Sequence, residues 1–182
     1  MSSAALELSK AFGFLKQDEV LLIQEIAKKV PVGANVVNIG AGVGTSGIAV
    51  IESNPNVKLY TIDISESSPF GGLENERNAF NKYGIPFKHS QINSDSISAG
   101  LLNWSPGIFM LIIDDDHNAN HLSLELDIWL QHVVKSGYIL LHDYNSEFWW
   151  EIKDVIDEKL LRNTSRYALY KIADTMISFI KL

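Results

Sequence analysis

The sequence contains no cysteine, which excludes a disulfide framework, a thiol nucleophile and a cysteine-ligated zinc. Positive charge is scarce: 15 Lys and Arg stand against 22 Asp and Glu, for a formal net charge of −7. A nucleic-acid surface needs a basic stripe, so nucleic acid is not an expected partner. Long hydrophobic runs are missing too. The apolar stretches fall far short of the ~20 residues that cross a bilayer. The N-terminal MSSAALELSK lacks the basic segment and long apolar core of a secretory signal. The expectation is a soluble cytoplasmic protein with no membrane partner. No repeat, low-complexity tract or linker divides the chain.

What is present suits an ordinary globular core: 182 residues, 46% hydrophobic and 20% charged. One domain over residues 1–182 is expected, with N-terminal helices in 1–30 and a core in 35–182. Hydrophobic spacing predicts helices over Ser3 to Phe12 and Gln17 to Val30, then a strand over Asn35 to Ile39. A helix is predicted over Thr45 to Ser53, and a strand over Val57 to Ile62 ending at Asp63. Gly72 to Tyr83 reads as a helix, Pro86 to Ile92 as a strand, and Ser94 to Leu102 as a short helix. Gly107 to Ile113 is apolar throughout, as in a strand buried on both faces of a parallel sheet. A helix over Asn118 to Val134, a strand over Gly137 to Leu141 and a helix over Glu147 to Leu161 follow. Two strands, Ser165 to Ile172 and Thr175 to Leu182, close the chain as a hairpin. Such alternation implies a mostly parallel sheet with ligands bound at the carboxyl ends of its strands. Gly40, Asp63, Asp114 and Asp143 all fall at such ends.

The turn Gly40-Ala41-Gly42-Val43-Gly44 follows a strand and opens a helix, where glycine lets the backbone approach a ligand closely. It is not a clean dinucleotide fingerprint, which would want glycine where Thr45 stands. Asp63 ends the next strand at the right distance to accept hydrogen bonds from ribose hydroxyls.

The stretches Asn38-Ile39-Gly40-Ala41-Gly42-Val43-Gly44 and Thr61-Ile62-Asp63-Ile64 resemble the S-adenosylmethionine-dependent methyltransferases of the Rossmann-like class. The resemblance spans roughly residues 20 to 182. It implies a doubly wound α/β fold: a mostly parallel seven-stranded sheet with a C-terminal antiparallel hairpin. It also implies that Gly40, Ala41 and Gly42, with Gly44 and Thr45 beyond them, line the cofactor S-adenosylmethionine. Asp63 would hold its ribose, Ile64 would pack on its adenine, and Asn93 and Ser94 would meet the adenine amino group. Asn38 stands where the family usually has an acid.

The segment Ile112-Ile113-Asp114-Asp115-Asp116-His117, with Asp127 and Trp129 downstream and His142-Asp143 later, is similar to a subgroup containing many small-molecule and sugar O-methyltransferases. Some of these need a divalent cation. Asp115 stands where that subgroup usually has glycine. If the strands ending at Asp114 and Asp143 are neighbours, the two acids lie about 5 Å apart in backbone. At an effective dielectric of about 20 they repel by roughly 3 kcal/mol, about two pKa units for one of them. The pair then shares a proton, holds a cation, complements a sulfonium or faces solvent. Carboxylates with water suit Mg²⁺, and His142 as a further ligand suits Mn²⁺. Candidate metal ligands are Asp114, His142 and Asp143.

The expected chemistry is methyl transfer to a hydroxyl of a small molecule, with Asp114 also facing the cofactor. His117 is the candidate general base, with His142 in reserve, and His121 lies one turn beyond His117. Asp116 either orients His117 or caps the following helix. Phe148-Trp149-Trp150 either walls the acceptor or packs its helix onto the sheet. The N-terminal helices either cover the cofactor or make a homodimer contact. Two other readings stay open: a non-catalytic domain of the same fold that binds a ligand, and a nicotinamide-dependent oxidoreductase. Thr45 and the closing hairpin speak against the second.

Overall fold

Short runs rich in β-branched residues supply the strands here, and amphipathic segments between them supply the helices. The structure, a computed structural model, describes residues 3–182. The strands are β1 (Asn35–Ile39), β2 (Lys58–Asp63), β3 (Ser90–Asn93), β4 (Ile108–Ile113), β5 (Val133–Leu141), β6 (Tyr167–Ala173) and β7 (Met176–Lys181). The helices are α1 (Ala4–Phe12), α2 (Gln17–Ala27), α3 (Thr45–Ser53), α4 (Leu73–Lys82), α5 (Ser96–Gly100), α6 (Ala119–Trp129) and α7 (Trp150–Ile156), the last continued by a π-helical turn (Asp157–Leu161). No helix among the described residues is long and apolar enough to cross a membrane.

The sheet has the order β3-β2-β1-β4-β5-β7-β6. The first five strands are parallel, and the terminal hairpin is antiparallel. The expected seven-stranded Rossmann-like fold is therefore what the chain adopts. Both faces are covered. One carries α1 to α4 over Val36, Met110, Ile112 and Leu140. The other carries α5 to α7 over Val37, Ile39, Leu111 and Ile139. The strand order reverses between β1 and β4, so a crevice opens where their carboxyl ends part.

Several boundaries differ from expectation. β3 begins at Ser90 rather than Pro86, because Pro86 has no N–H to donate and the Phe87 and His89 rings turn in against Phe80. α6 stops at Trp129, and β5 begins at Val133 rather than Gly137. Val133 pairs with Ile108, and a bulge holding Ser136 at φ 64° takes up the extra residues before Tyr138 pairs with Met110. α7 begins at Trp150, so Glu147, Phe148 and Trp149 stay outside the helix, with Phe148 83% exposed.

Candidate active site

The crevice is a cleft of about 980 Å³. Gly40, Gly42, Asp63, Asp114, His117, His142 and Asp143 all line it. Its floor is the glycine turn. Gly40 has φ 91°, and a Cβ built there would lie 1.9 Å from the Asp114 carbonyl oxygen. Only glycine allows β1 and β4 to end this close together. Two side chains brace the turn. Asp63 accepts from Ala41 N at 2.9 Å and from Ser65 N at 2.7 Å. A carboxylate has about four lone-pair sites, which leaves two for a ligand's hydroxyls. Asn38, fully buried, donates its amide to the Gly40 carbonyl at 2.9 Å.

The acidic wall is built around a histidine. His142 Nδ1 lies 3.1 Å from Asp114 Oδ1 and 3.0 Å from Asp143 Oδ2. Its Nε2 lies 3.2 Å from Glu19 Oε2, and Glu19 is itself fully buried. Thr175 donates its backbone N–H and its hydroxyl to Glu19 Oε1, at 3.0 and 2.6 Å. Burial alone would lower the His142 pKa, but the Asp114 charge and the bonds to Asp114, Asp143 and Glu19 hold it far above the usual imidazole range. With nothing else bound, the positive charge that Asp114 and Asp143 require is therefore the His142 imidazolium. Both of its ring nitrogens face carboxylates, so His142 is not free to act as a general base.

Asp143 sits at φ 60°, a left-handed conformation that Asp tolerates at some cost. That turn aims its carboxylate at two imidazoles. His117 Nε2 approaches Asp143 Oδ2 at 2.8 Å, and its ring stacks on Trp149 at 4.8 Å. Burial would raise the Asp143 pKa, but the bonds from His117 and His142 hold it well below the usual carboxylate range. The same bond to Asp143 raises the His117 pKa. Donor atoms of Asp114, His117 and Asp143 converge within 4.8 Å, a spacing able to take a metal ion.

A family model described as a methyltransferase domain matches residues 37–144. The chain belongs to this methyltransferase family. No curated protein sequence matches it. Solved structures do. The fold is similar to that of a putative caffeoyl-CoA O-methyltransferase from Staphylococcus aureus, at TM-score 0.75 and 14% identity, over 100% of this chain and 93% of that one. It is also similar to the methyltransferase PaMTH1 of Podospora anserina, solved bound to SAH, at TM-score 0.72 and 14% identity, over 100% and 89%. A putative rRNA methylase from Clostridium thermocellum matches at TM-score 0.71 and 13% identity, over 92% and 97%. At such identities the likeness is one of fold.

Other expected site residues of this methyltransferase lie elsewhere. Ile64 is 70% exposed and, like Asn93 and Ser94, is not part of the cleft lining. Asn93 pairs in register with Asp63, so it stands at the same level on the next strand. Ser94 Oγ donates to the Asp95 carbonyl. Gly44 caps α3 and Thr45 is buried as its first residue. Asp127 faces outward to Lys159 at 2.6 Å. Asn118, not Asp116, caps α6, accepting from Asn120 N and His121 N. His117 precedes that helix, so His117 and His121 do not share a helical face. Glu19 and Thr175 were not among the residues expected at the site. The available signal was Glu19 standing beside Val20 and Ile23 in an otherwise apolar stripe.

The Asn38 contact bears on the missing acid. A carboxylate cannot donate to the Gly40 carbonyl, and at this position it would set two oxygens against each other. Asn38→Asp is expected to destabilise the fold by about 2 kcal/mol in urea unfolding. An unchanged midpoint would show that the amide does not hold the turn.

Proposed function

We propose that this chain is an S-adenosylmethionine-dependent methyltransferase that methylates a hydroxyl of a small molecule, with a divalent cation held by Asp114, His142 and Asp143. One observation carries the reading. His142 Nδ1 stands 3.1 and 3.0 Å from carboxylate oxygens on two neighbouring strand ends, beside a glycine turn that only glycine can form. Donors bound about 2.1 Å from one octahedral cation stand roughly 3 Å apart, the spacing found here. The Glu19 contact to the other ring nitrogen suits the carboxylate-histidine support of such ligands. The donor set therefore fits Mg²⁺ or Mn²⁺. The glycine turn and the free lone pairs of Asp63 fit an adenosyl donor.

The donor would supply a methyl group already activated on its sulfonium, and the cation would acidify and orient the acceptor hydroxyl. His117 takes the hydroxyl proton at Nδ1, its other ring nitrogen, while Nε2 donates to Asp143, which steadies the imidazolium that forms. Phe70 and Phe148, both exposed on the cleft lining, supply apolar walls for the acceptor. The net charge of −7 favours a small acceptor over RNA.

Two pH dependences follow. His117 must be neutral to accept a proton, and its pKa is raised by Asp143. Activity should therefore rise with pH along a limb centred above about 6.5, the ordinary imidazole value. His117→Asn should abolish the limb, and a limb unchanged in that variant assigns it to another group. The cation must displace the Nδ1 proton of His142, whose pKa is also raised. Mn²⁺ affinity by calorimetry should therefore rise about tenfold per pH unit. A pH-independent affinity would place the cation elsewhere.

The function itself is tested by a screen of hydroxylated small molecules with S-adenosylmethionine and Mg²⁺ or Mn²⁺, read as a mass gain of one methyl group. Binding of the donor without any such product would favour a non-catalytic binding domain.

A further inference from the structure

Beside the cleft, reaching its lining through Asp115, lies a second cluster that the methyl-transfer reading does not use. Asp115 follows β4, His121 and Glu125 lie one turn apart on α6, and Ser96 begins α5. His121 Nε2 is 3.9 Å from Asp115 Oδ2, 3.6 Å from Glu125 Oε1 and 3.1 Å from Ser96 Oγ. The donor atoms of Asp115, His121 and Glu125 all fall within 4.8 Å of one another.

Glu125 is fully buried, and neither of its carboxylate oxygens has a hydrogen-bond partner. Asp115 Oδ1 is buried and unpartnered too. Buried carboxylates are ordinarily paired or hydrogen-bonded. Three orphaned oxygens beside one imidazole, with no Lys or Arg among their contacts, are what a cation would satisfy. A divalent ion would satisfy those oxygens and bring the local charge of the two carboxylates to zero.

We infer that Asp115, His121 and Glu125 form a second, structural divalent-metal site, separate from the donor set at Asp143. Two carboxylates and an imidazole, without thiolates, suit Zn²⁺. Around a tetrahedral zinc with ligand bonds of about 2.1 Å, donors stand roughly 3.4 Å apart. The 3.6 and 3.9 Å contacts of His121 need only a small contraction to reach that spacing. Ser96 Oγ lies 3.1 Å from His121 Nε2, within reach of the same ion. Such a site ties the loop after β4, which carries Asp114 and His117, to α6. That helix is already pinned to α5 through Trp129 Nε1 donating to the Ser96 carbonyl at 3.1 Å. The site depends on Asp115, the acid that stands where similar enzymes have glycine.

Equilibrium dialysis of the purified protein against Zn²⁺, with bound metal quantified, tests this. An Asp114→Asn/Asp143→Asn double variant is expected to keep one tight equivalent, whatever becomes of the cleft cation. Adding Glu125→Gln, or separately His121→Gln, to that double variant should weaken the equivalent at least tenfold. Glu125→Gln keeps the side-chain shape and His121 is partly exposed, so loss of fold is checked by thermal melting without metal. A double variant that retains no zinc overturns the proposal. So does an equivalent that persists in both added variants. Failure of the methyl-transfer reading would leave these outcomes unchanged.

Discussion

Gly40→Ala should abolish donor binding and unfold the protein at a markedly lower denaturant concentration. The added Cβ would lie 1.9 Å from the Asp114 carbonyl oxygen, at a residue whose φ is 91°. The obstacle is backbone, so no side chain can swing away. β1 and β4 must separate at their carboxyl ends, which carry the hydrogen bond from Asp114 N to the Ile39 carbonyl. The expected cost is more than about 4 kcal/mol, in the range of severe backbone and overpacking lesions. Gly42→Ala provides the contrast. Its Cβ would meet nothing within 4 Å, and its φ of 49° lies in the left-handed region. That costs about 1–2 kcal/mol, and the methyl projects into the cleft. Both variants should fail to bind the donor, while only Gly40→Ala should fail to hold its fold. Equal stabilities for the two would contradict the packing described for β1 against β4.

Asp143→Asn should lower kcat by about 10³-fold while leaving the donor's affinity nearly unchanged, in line with the loss of a preorganised charge or metal ligand at a reacting centre. Asp143 Oδ2 is shared by His117 at 2.8 Å and His142 at 3.0 Å. The amide has the same shape but no charge. It weakens a candidate cation ligand and removes the charge that holds His117. The pKa of His117 should then fall toward the ordinary imidazole value, so any remaining activity should show its pH limb displaced to lower pH. A change in donor affinity with kcat retained would instead place Asp143 in the cofactor pocket.

The sheet was legible because its central strands are uniform. β1 has the bounds that its composition implied, and β4 begins one residue later than expected, at Ile108; both are strands buried on both faces. The boundary between α6 and β5 was not legible. Helical spacing continues from Trp129 through Val133, and only the pairing of Val133 with Ile108 turns the chain into a strand. Asp63, Asp114 and Asp143 could be placed at strand ends, since strand ends carry ligands in such sheets. Their partners could not. Glu19 meets His142 across 123 residues of sequence, and no local pattern links them. A subtler regularity was available. Glu19, Glu76 and Glu125 each stand in the apolar stripe of a helix, each is fully buried, and each meets a histidine: His142, His89 and His121. A glutamate at a core position needs a partner, and a chain with five histidines offers few choices. Asp127, which the motif comparison singled out, faces solvent instead, two residues along α6 from the buried Glu125 and so on the opposite face.

On the proposed reading, the cleft at the ends of β1, β2 and β4 holds an adenosyl-sulfur ligand through the glycine turn and Asp63. Isothermal titration calorimetry with S-adenosylhomocysteine tests it most directly, with NAD as the control and Asp63→Ala as the variant. Binding of S-adenosylhomocysteine, no binding of NAD, and an affinity at least about tenfold weaker in the variant are expected, as for lost hydrogen bonds to a charged acceptor. Absence of S-adenosylhomocysteine binding at millimolar concentration, or binding of NAD in its place, would contradict it.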